Sequence, residues 1–342
     1  MTRILSLVLA AVTSVQPVWA DGPSEEVIAP LVAQAVSDHI VPRVQAFAMS
    51  AQALSEAAQG DCVAGQSTLE AGFHHAMDDW TAMSHLRFGP TEADDRAFAL
   101  AFWPDGRGKT PKVLARLLGS EGGLEAETFR EVSIAGRGLY AMEFLLFDAP
   151  TQAVGDAPRR CAVIAAVADD IAYNAGAIAA DWQGNYATEL TEPGPEKAFH
   201  HTSEAVQELF KAAITGLQFT ADTRLGRPLG TFDRPRPKRA ELRRSGRPLR
   251  QVQMSVDGTR ELVLILAQVN PAMQARIVKA YDQVDDLIDN LEDTSFAGVG
   301  GIQGRLHIEI IQIQINEVRD LLLAELGPAL GVGTGFNALD GD

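Results

Sequence analysis

The stretch GRGLYAMEFLLFD, residues 136–148, decides how the chain is read. Glu143 follows Leu139, Tyr140 and Met142 and precedes Phe144, Leu145, Leu146 and Phe147. If the segment is helical, a carboxylate in so apolar a run is at least partly buried. An unpaired buried charge is expensive, so Glu143 must hold a cation, a hydrogen-bond donor or a proton.

Outward from that stretch most of the chain also reads as helix. From Glu26 to Ala58 apolar residues such as Ile28, Leu31, Val32, Val36 and Ile40 recur at helical spacing, and Pro42 is expected to kink or interrupt that helix. Residues 65–86 form a second helix stopped by FGP at 88–90, and WPDGRGKTP at 103–111 is a loop rich in breakers. The stretch 125–147 breaks near Gly136 and Gly138, leaving 139–147 as a short apolar helix. A long Ala-rich helix follows over 161–190, and further helices are expected over 197–219, 258–291 and 304–326. HIEIIQIQI at 307–315 also alternates like a strand, but its continuation to Gly327 favours helix by length. The expected architecture is all-α, with two helical-bundle domains over 21–195 and 196–342.

The opening MTRILSLVLAAVTSVQPVWA has one Arg, an apolar stretch and a small residue at Ala20, the layout of a secretory signal over residues 1–20. A periplasmic or secreted protein is expected, with no transmembrane segment in the mature chain. The formal charge of −16, or −17 without Arg3, argues against nucleic acid or anionic lipid as a general partner. Cys62 and Cys161 fall in an oxidising compartment, so a disulfide is expected between them, the alternative being two separate buried thiols. Such a bridge contributes roughly 4–5 kcal/mol on the chain-entropy account.

Familiar enzyme signatures are mostly absent: no HExxH, no GxSxG and no Walker loop. There are seven histidines: His39, His74, His75, His85, His200, His201 and His307. His74 and His75 stand four residues before Asp78 and Asp79, a spacing that suits a metal or an ordinary surface hydrogen bond. His201 and Glu204 form an HxxE spacing beside a Pro/Gly loop, with no apolar frame. Tyr140 and Glu143, three apart, share one helical face. Their oxygens make a hard donor set for ferric iron, and the alternative is a buried Tyr–Glu–Arg network tying two domains together. The segment 224–250 holds ten of the 29 basic residues and four prolines. Within it RRSGRP at 243–248 has the turn chemistry to converge arginines and backbone N–H groups on an anion.

Taken in order, AMDDWTAMSHLRFGP (76–90), FWPDGRGKTP (102–111), GLYAMEFLLF (138–147), AELRRSGRPL (240–249) and GFNALDGD (335–342) resemble the imelysin-like proteins across nearly the whole mature chain. The resemblance implies an exported, all-helical protein of two bundles, from a family named for an insulin-cleaving membrane protease, filed among metallopeptidases and tied to iron regulation and periplasmic iron uptake. It implies a GxHxxE signature near the domain junction, proposed in that family as a metal site. Here the signature reads Gly138-Leu139-Tyr140-Ala141-Met142-Glu143, with tyrosine in place of histidine. Tyrosine cannot supply the neutral nitrogen zinc usually takes, which weakens a zinc-hydrolase reading. The expectation is therefore an iron-binding or iron-uptake accessory protein, not an enzyme, with iron on Tyr140 and Glu143. Gly138, Arg87, Arg244 and Ser245 complete the site as framework, outer contacts or anion contacts. The alternatives are an imelysin-type metallopeptidase, or a non-catalytic protein holding a small anion or a protein partner such as an iron-uptake component.

Overall fold

The computed structural model describes residues 23–60, 62–63 and 66–333; the leader at 1–20 and the closing GFNALDGD lie outside the described residues. Among the described residues every long element is a helix, and the one β-type pairing is an isolated bridge between Thr231 and Arg234. Helix α1 covers residues 25–58 and α2 Gln66–Met83. Lys109–Gly119 is α3, Gly138–Phe147 α4, and Ala157–Thr191 α5. Thr202–Phe219 is α6, Pro248–Leu266 α7, Pro271–Asp289 α8, and Ile302–Leu321 α9.

Two expectations change. Pro42 does not interrupt α1. The helix widens into a π turn at Ala35–Ile40, where the Val41 N–H pairs with the Val36 carbonyl. Pro42 then sits in the first turn of the new register, where its missing N–H is tolerated. The single helix expected over 258–291 is two helices. The first already starts at Pro248, inside the basic segment, and the break falls at Asn270, whose side chain accepts from the Ala272 and Met273 amides just before Pro271. Helix α5 is long and apolar enough to cross a membrane by length and composition alone, although Asp169, Asp170 and Asp181 interrupt its apolar run. Val163, Val167, Ile171, Ala175 and Ile178 are wholly buried along it, so it is built as a core helix.

Helices α1, α2, α4 and α5 pack on one another, as do α6, α7, α8 and α9. The two groups meet where α2 lies on α7 and where Glu25–Gln34, the start of α1, lies on α6. The first helix thus reaches across the expected boundary at 195, and the buried apolar side chains form one continuous cluster from Ile28 to Val332. Cys62 and Cys161 are bonded, with Cα atoms 5.3 Å apart, tying the end of α1 to the start of α5.

Candidate functional site

Helix α4 begins where it does because Gly138 has φ +72°, and a Cβ there would strike the carbonyl oxygens of Ala99 and Leu100. Arg137, immediately before, anchors the start with two hydrogen bonds to Asp170 of α5, at 2.6 and 3.0 Å. Every residue from Gly138 to Leu146 except Phe144 is buried. That burial defines the problem Glu143 has to solve.

Glu143 is 2% exposed. Its Oε1 accepts from the Arg244 backbone N–H at 2.9 Å, the Ser245 N–H at 3.1 Å and the Ser245 hydroxyl at 3.1 Å. The Arg244 guanidinium stands 3.7 Å from Oε2, donates to Asp148 at 2.6 Å and lies 3.6 Å over the Phe144 ring. Burial pushes the Glu143 carboxyl up, outweighing the hydrogen bonds from Ser245 and the attraction of Arg244. The carboxylate therefore holds the turn of the 240–249 segment by its backbone dipoles, like an anion in a nest.

Tyr140, one turn earlier, holds something else. Its hydroxyl donates to Glu241, which is 1% exposed and faces the Arg224 guanidinium, Nε to Oε2 at 2.9 Å. Arg224 is itself 4% exposed, so this is a buried ion pair with a phenol as its third member. Burial, followed by the Glu241 charge, drives the Tyr140 hydroxyl well above its ordinary value, so it stays protonated. Arg224 is carried by the π turn Thr220–Leu225 that ends α6. The wider turn changes the helix register just where the guanidinium must reach inward.

Tyr140 also forms part of the wall of a cavity of about 370 Å³ between the two helix groups. Trp80, Phe88, Phe98 and Trp103 line it from one side, and Phe219, Thr215, Gly216 and Arg224 from the other, with His85 and Arg87 also on the wall. Trp103 stacks on Tyr140 with ring centres 6.2 Å apart and meets Phe219 edge-on at 6.1 Å. The aromatic rings share the wall with the charged side chains of Arg87, Glu208, Lys211, Asp222 and Arg224, and the volume is that of a small-molecule site.

The expected site residues therefore divide. Arg244 and Ser245 meet Glu143, whereas Arg87 pairs with Glu92, covers Phe98 at 5.4 Å and belongs to the cavity wall. Tyr140 and Glu143 do not offer converging free oxygens. The phenol keeps its proton toward Glu241, one glutamate oxygen is filled by three donors, and Arg224 and Arg244 already supply the positive charge. That donor set does not fit a resident iron ion, and among the described residues no three His, Cys, Asp or Glu side chains are grouped to hold a metal. His74 and Asp78 both receive Arg247, at 3.0 Å to His74 Nδ1, and Asp78 also takes Arg250 at 2.9 Å. Glu204 accepts the His200 N–H at 2.7 Å, which secures the start of α6.

Residues the sequence reading left without a role complete the picture. Glu241 and Arg224 form the buried pair, and His39 and His85 face each other, Nε2 to Nε2, at 3.0 Å. Nothing in the spacing of 46 positions marks that histidine pair: His39 lies in the π turn of α1, and His85 in the turn that follows α2.

No curated protein sequence matches this chain. An imelysin-like protein from Psychrobacter arcticum 273-4 has the same fold, with a TM-score of 0.79 and 18% identity over 93% of this chain and 99% of the other. A protein from Parabacteroides distasonis ATCC 8503, assigned as an iron-regulated protein A precursor, superimposes with a TM-score of 0.73 and 13% identity over 92% and 97% of the two chains. At these identities the likeness establishes the fold. The family model described as Imelysin (peptidase M75) matches residues 40–322, well over half of the sequence, and the chain belongs to the imelysin family.

Proposed function

We propose that this protein is an exported accessory protein of iron uptake that binds a small ligand, free or iron-loaded, in the cavity between its two helix groups. The observation that carries the reading is the aromatic cavity of about 370 Å³ with Tyr140, the variant signature residue, in its wall. The iron connection is supported by the family and by the iron-regulated assignment of the Parabacteroides distasonis relative. Iron enters here as cargo within a ligand, because Tyr140 and Glu143 are engaged elsewhere. Glu143 fixes the 240–249 segment behind the cavity, and the Arg224–Glu241 pair gives its wall a fixed charge arrangement.

The test is calorimetry with Fe(III)-citrate and Fe(III)-2,3-dihydroxybenzoate beside bare Fe(II), Zn(II) and Cu(II). The expected result is one site for a chelate, weakened at least tenfold in Trp103→Ala, and none for the bare ions. A bare-ion site lost in Glu143→Ala would overturn the reading in favour of a metal centre on the signature. Peptidase activity, the family's other description, is the second reading. Cleavage of a protein substrate that stops with chelator and in Glu143→Ala would establish it.

A further inference from the structure

Helix α9 is apolar on two opposite faces. Ile308, Ile311, Ile315 and Val318 are buried and turn one face into the core. Ile302, Leu306, Ile310 and Ile313 fall within about 80° of one another on the far face. They are 80%, 50%, 37% and 56% exposed. The two stripes together give HIEIIQIQI its strand-like alternation. A helix on the outside of a bundle needs one apolar stripe, so a second one directly opposite belongs to a helix packed between two layers. Phe232, 73% exposed, extends the bare patch at the start of the helix. The Arg305 guanidinium stands 5.7 Å over its ring and donates to the carbonyls of Leu229 at 2.8 Å and Thr231 at 3.2 Å.

A fully exposed aromatic ring presents roughly 150–250 Å² and an aliphatic chain somewhat less, so these five side chains leave about 500 Å² of apolar surface bare. That is near the upper end for the largest patch on a monomer. It is also more than half of the roughly 800 Å² that each partner gives to a standard specific interface, where a polar rim supplies the rest. The charges around the stripe indicate what covers it. At its start, residues 231–239 carry Arg234, Arg236, Lys238 and Arg239 against Asp233 alone. Within them Pro237–Arg239 packs on Ala297–Gly300, just ahead of α9. At its end stand the exposed acids Glu317 and Asp320, with Arg319 3.6 Å from Asp320. Glu309, at mid-helix, is held by Arg305 at 2.7 Å. A stripe that is basic at one end and acidic at the other is complementary to its own reverse. A two-fold axis at Ile310 sets 317 opposite 303 and 320 opposite 300. Each copy's acids then meet the basic turn of the other, and both contacts form at once. A parallel pairing would set like charge against like.

We infer that this face joins two copies of the chain, with α9 of one lying antiparallel on α9 of the other about an axis at Ile310. Leu306, Ile310 and Ile313 form the apolar centre of the contact. The charged ends fix its direction, because charge at an interface rim sets register and partner more than affinity. The face lies on the side of α9 away from the core, so closing the pair needs no rearrangement inside either copy. The inference is independent of what the cavity binds.

Sedimentation velocity on the mature chain across the micromolar range tests it. The expected result is a reversible monomer–dimer equilibrium that Ile310→Glu weakens at least about thirtyfold, the size of a hot-spot loss. Position 310 is already exposed in the single copy, so folding is not at stake, and an unchanged circular dichroism spectrum checks this. The two cysteines of the chain are bonded to each other, so an introduced thiol reports the axis alone. Under oxidation Ile310→Cys is expected to give a covalent dimer. Ile302→Cys is not, because reversed copies hold position 302 far from its own mate. Equal cross-linking of the two overturns the antiparallel arrangement. Asp320→Lys should weaken the dimer several-fold, and adding Lys238→Asp should restore it. A chain that stays monomeric at every concentration overturns the inference, whether its own residues 334–342, another protein or nothing covers the face. So does a dimer that Ile310→Glu leaves intact.

Discussion

Glu143 and Glu241 are two buried carboxylates on the same contact between α4 and the 240–249 segment, 2% and 1% exposed, and they are satisfied in opposite ways. Glu143 belongs to the helix and is answered by two backbone N–H groups and a hydroxyl of the segment. Glu241 belongs to the segment and is answered by a formal charge, Arg224, and by Tyr140 of the helix. The difference teaches that the two signature positions have separate duties. The glutamate fastens a turn by dipoles, and the tyrosine, in the place of the family's histidine, joins an ion pair at a cavity wall.

The largest effect comes from breaking the charged half of this comparison. Glu241→Ala leaves Arg224 buried without its counter-ion, and removing one partner of a buried pair costs about 3–5 kcal/mol. Urea unfolding should show that loss, and a loss under about 1 kcal/mol would mean Arg224 is solvated and the pair carries little. Glu143→Ala comes next, at about 2–3 kcal/mol, because the amides of Arg244 and Ser245 lose their acceptor in a buried place. Glu143→Gln keeps an acceptor oxygen and should recover at least half of that. If Gln and Ala destabilise equally, charge and not dipole satisfaction is what the segment needs. Tyr140→Phe removes one donor from a carboxylate that Arg224 still faces, so about 1 kcal/mol is expected in the same unfolding assay.

The relative legibility of these pieces follows from their range in sequence. Helix α4, its glycine start and the need of Glu143 for a partner are local facts, written in ten consecutive residues, and the structure answers the need with the RRSG turn singled out for anion chemistry. The strand-like HIEIIQIQI resolves as helix because its length outweighs its alternation. The break at Asn270-Pro271 was present as an N-cap followed by proline, but apolar periodicity on both sides concealed it. Glu241 was hidden by composition, as one of two acids in a segment that counts as basic. The His39–His85 contact depends on the packing of α1 against the end of α2, and the other partner of His39 is Glu261 from α7, 222 positions away. No spacing rule reaches that far.

The smallest effect distinguishes the two carboxylates by pH. Burial sets the folded pKa of Glu143 above its ordinary 4.5, so between those two values the folded state binds more protons than the unfolded one. Stability then falls with rising pH across that window, and the contribution is fully lost only once the folded value is passed. The sign is opposite to that of Glu261, where burial is outweighed by the hydrogen bonds from His39 and Arg43. Its folded value of about 2 gives a contribution present above 4.5 and lost as pH falls through about 2. Many carboxylates titrate in this acidic chain, so the measurement is the difference in unfolding free energy between the wild-type protein and Glu143→Gln, taken from pH 4 to 7. That difference should move against the wild type as pH rises, because only the wild type must ionise a buried group. A difference that moves the other way would mean that Arg244, at 3.7 Å, dominates over burial, and Glu143 would then be satisfied by charge as Glu241 is.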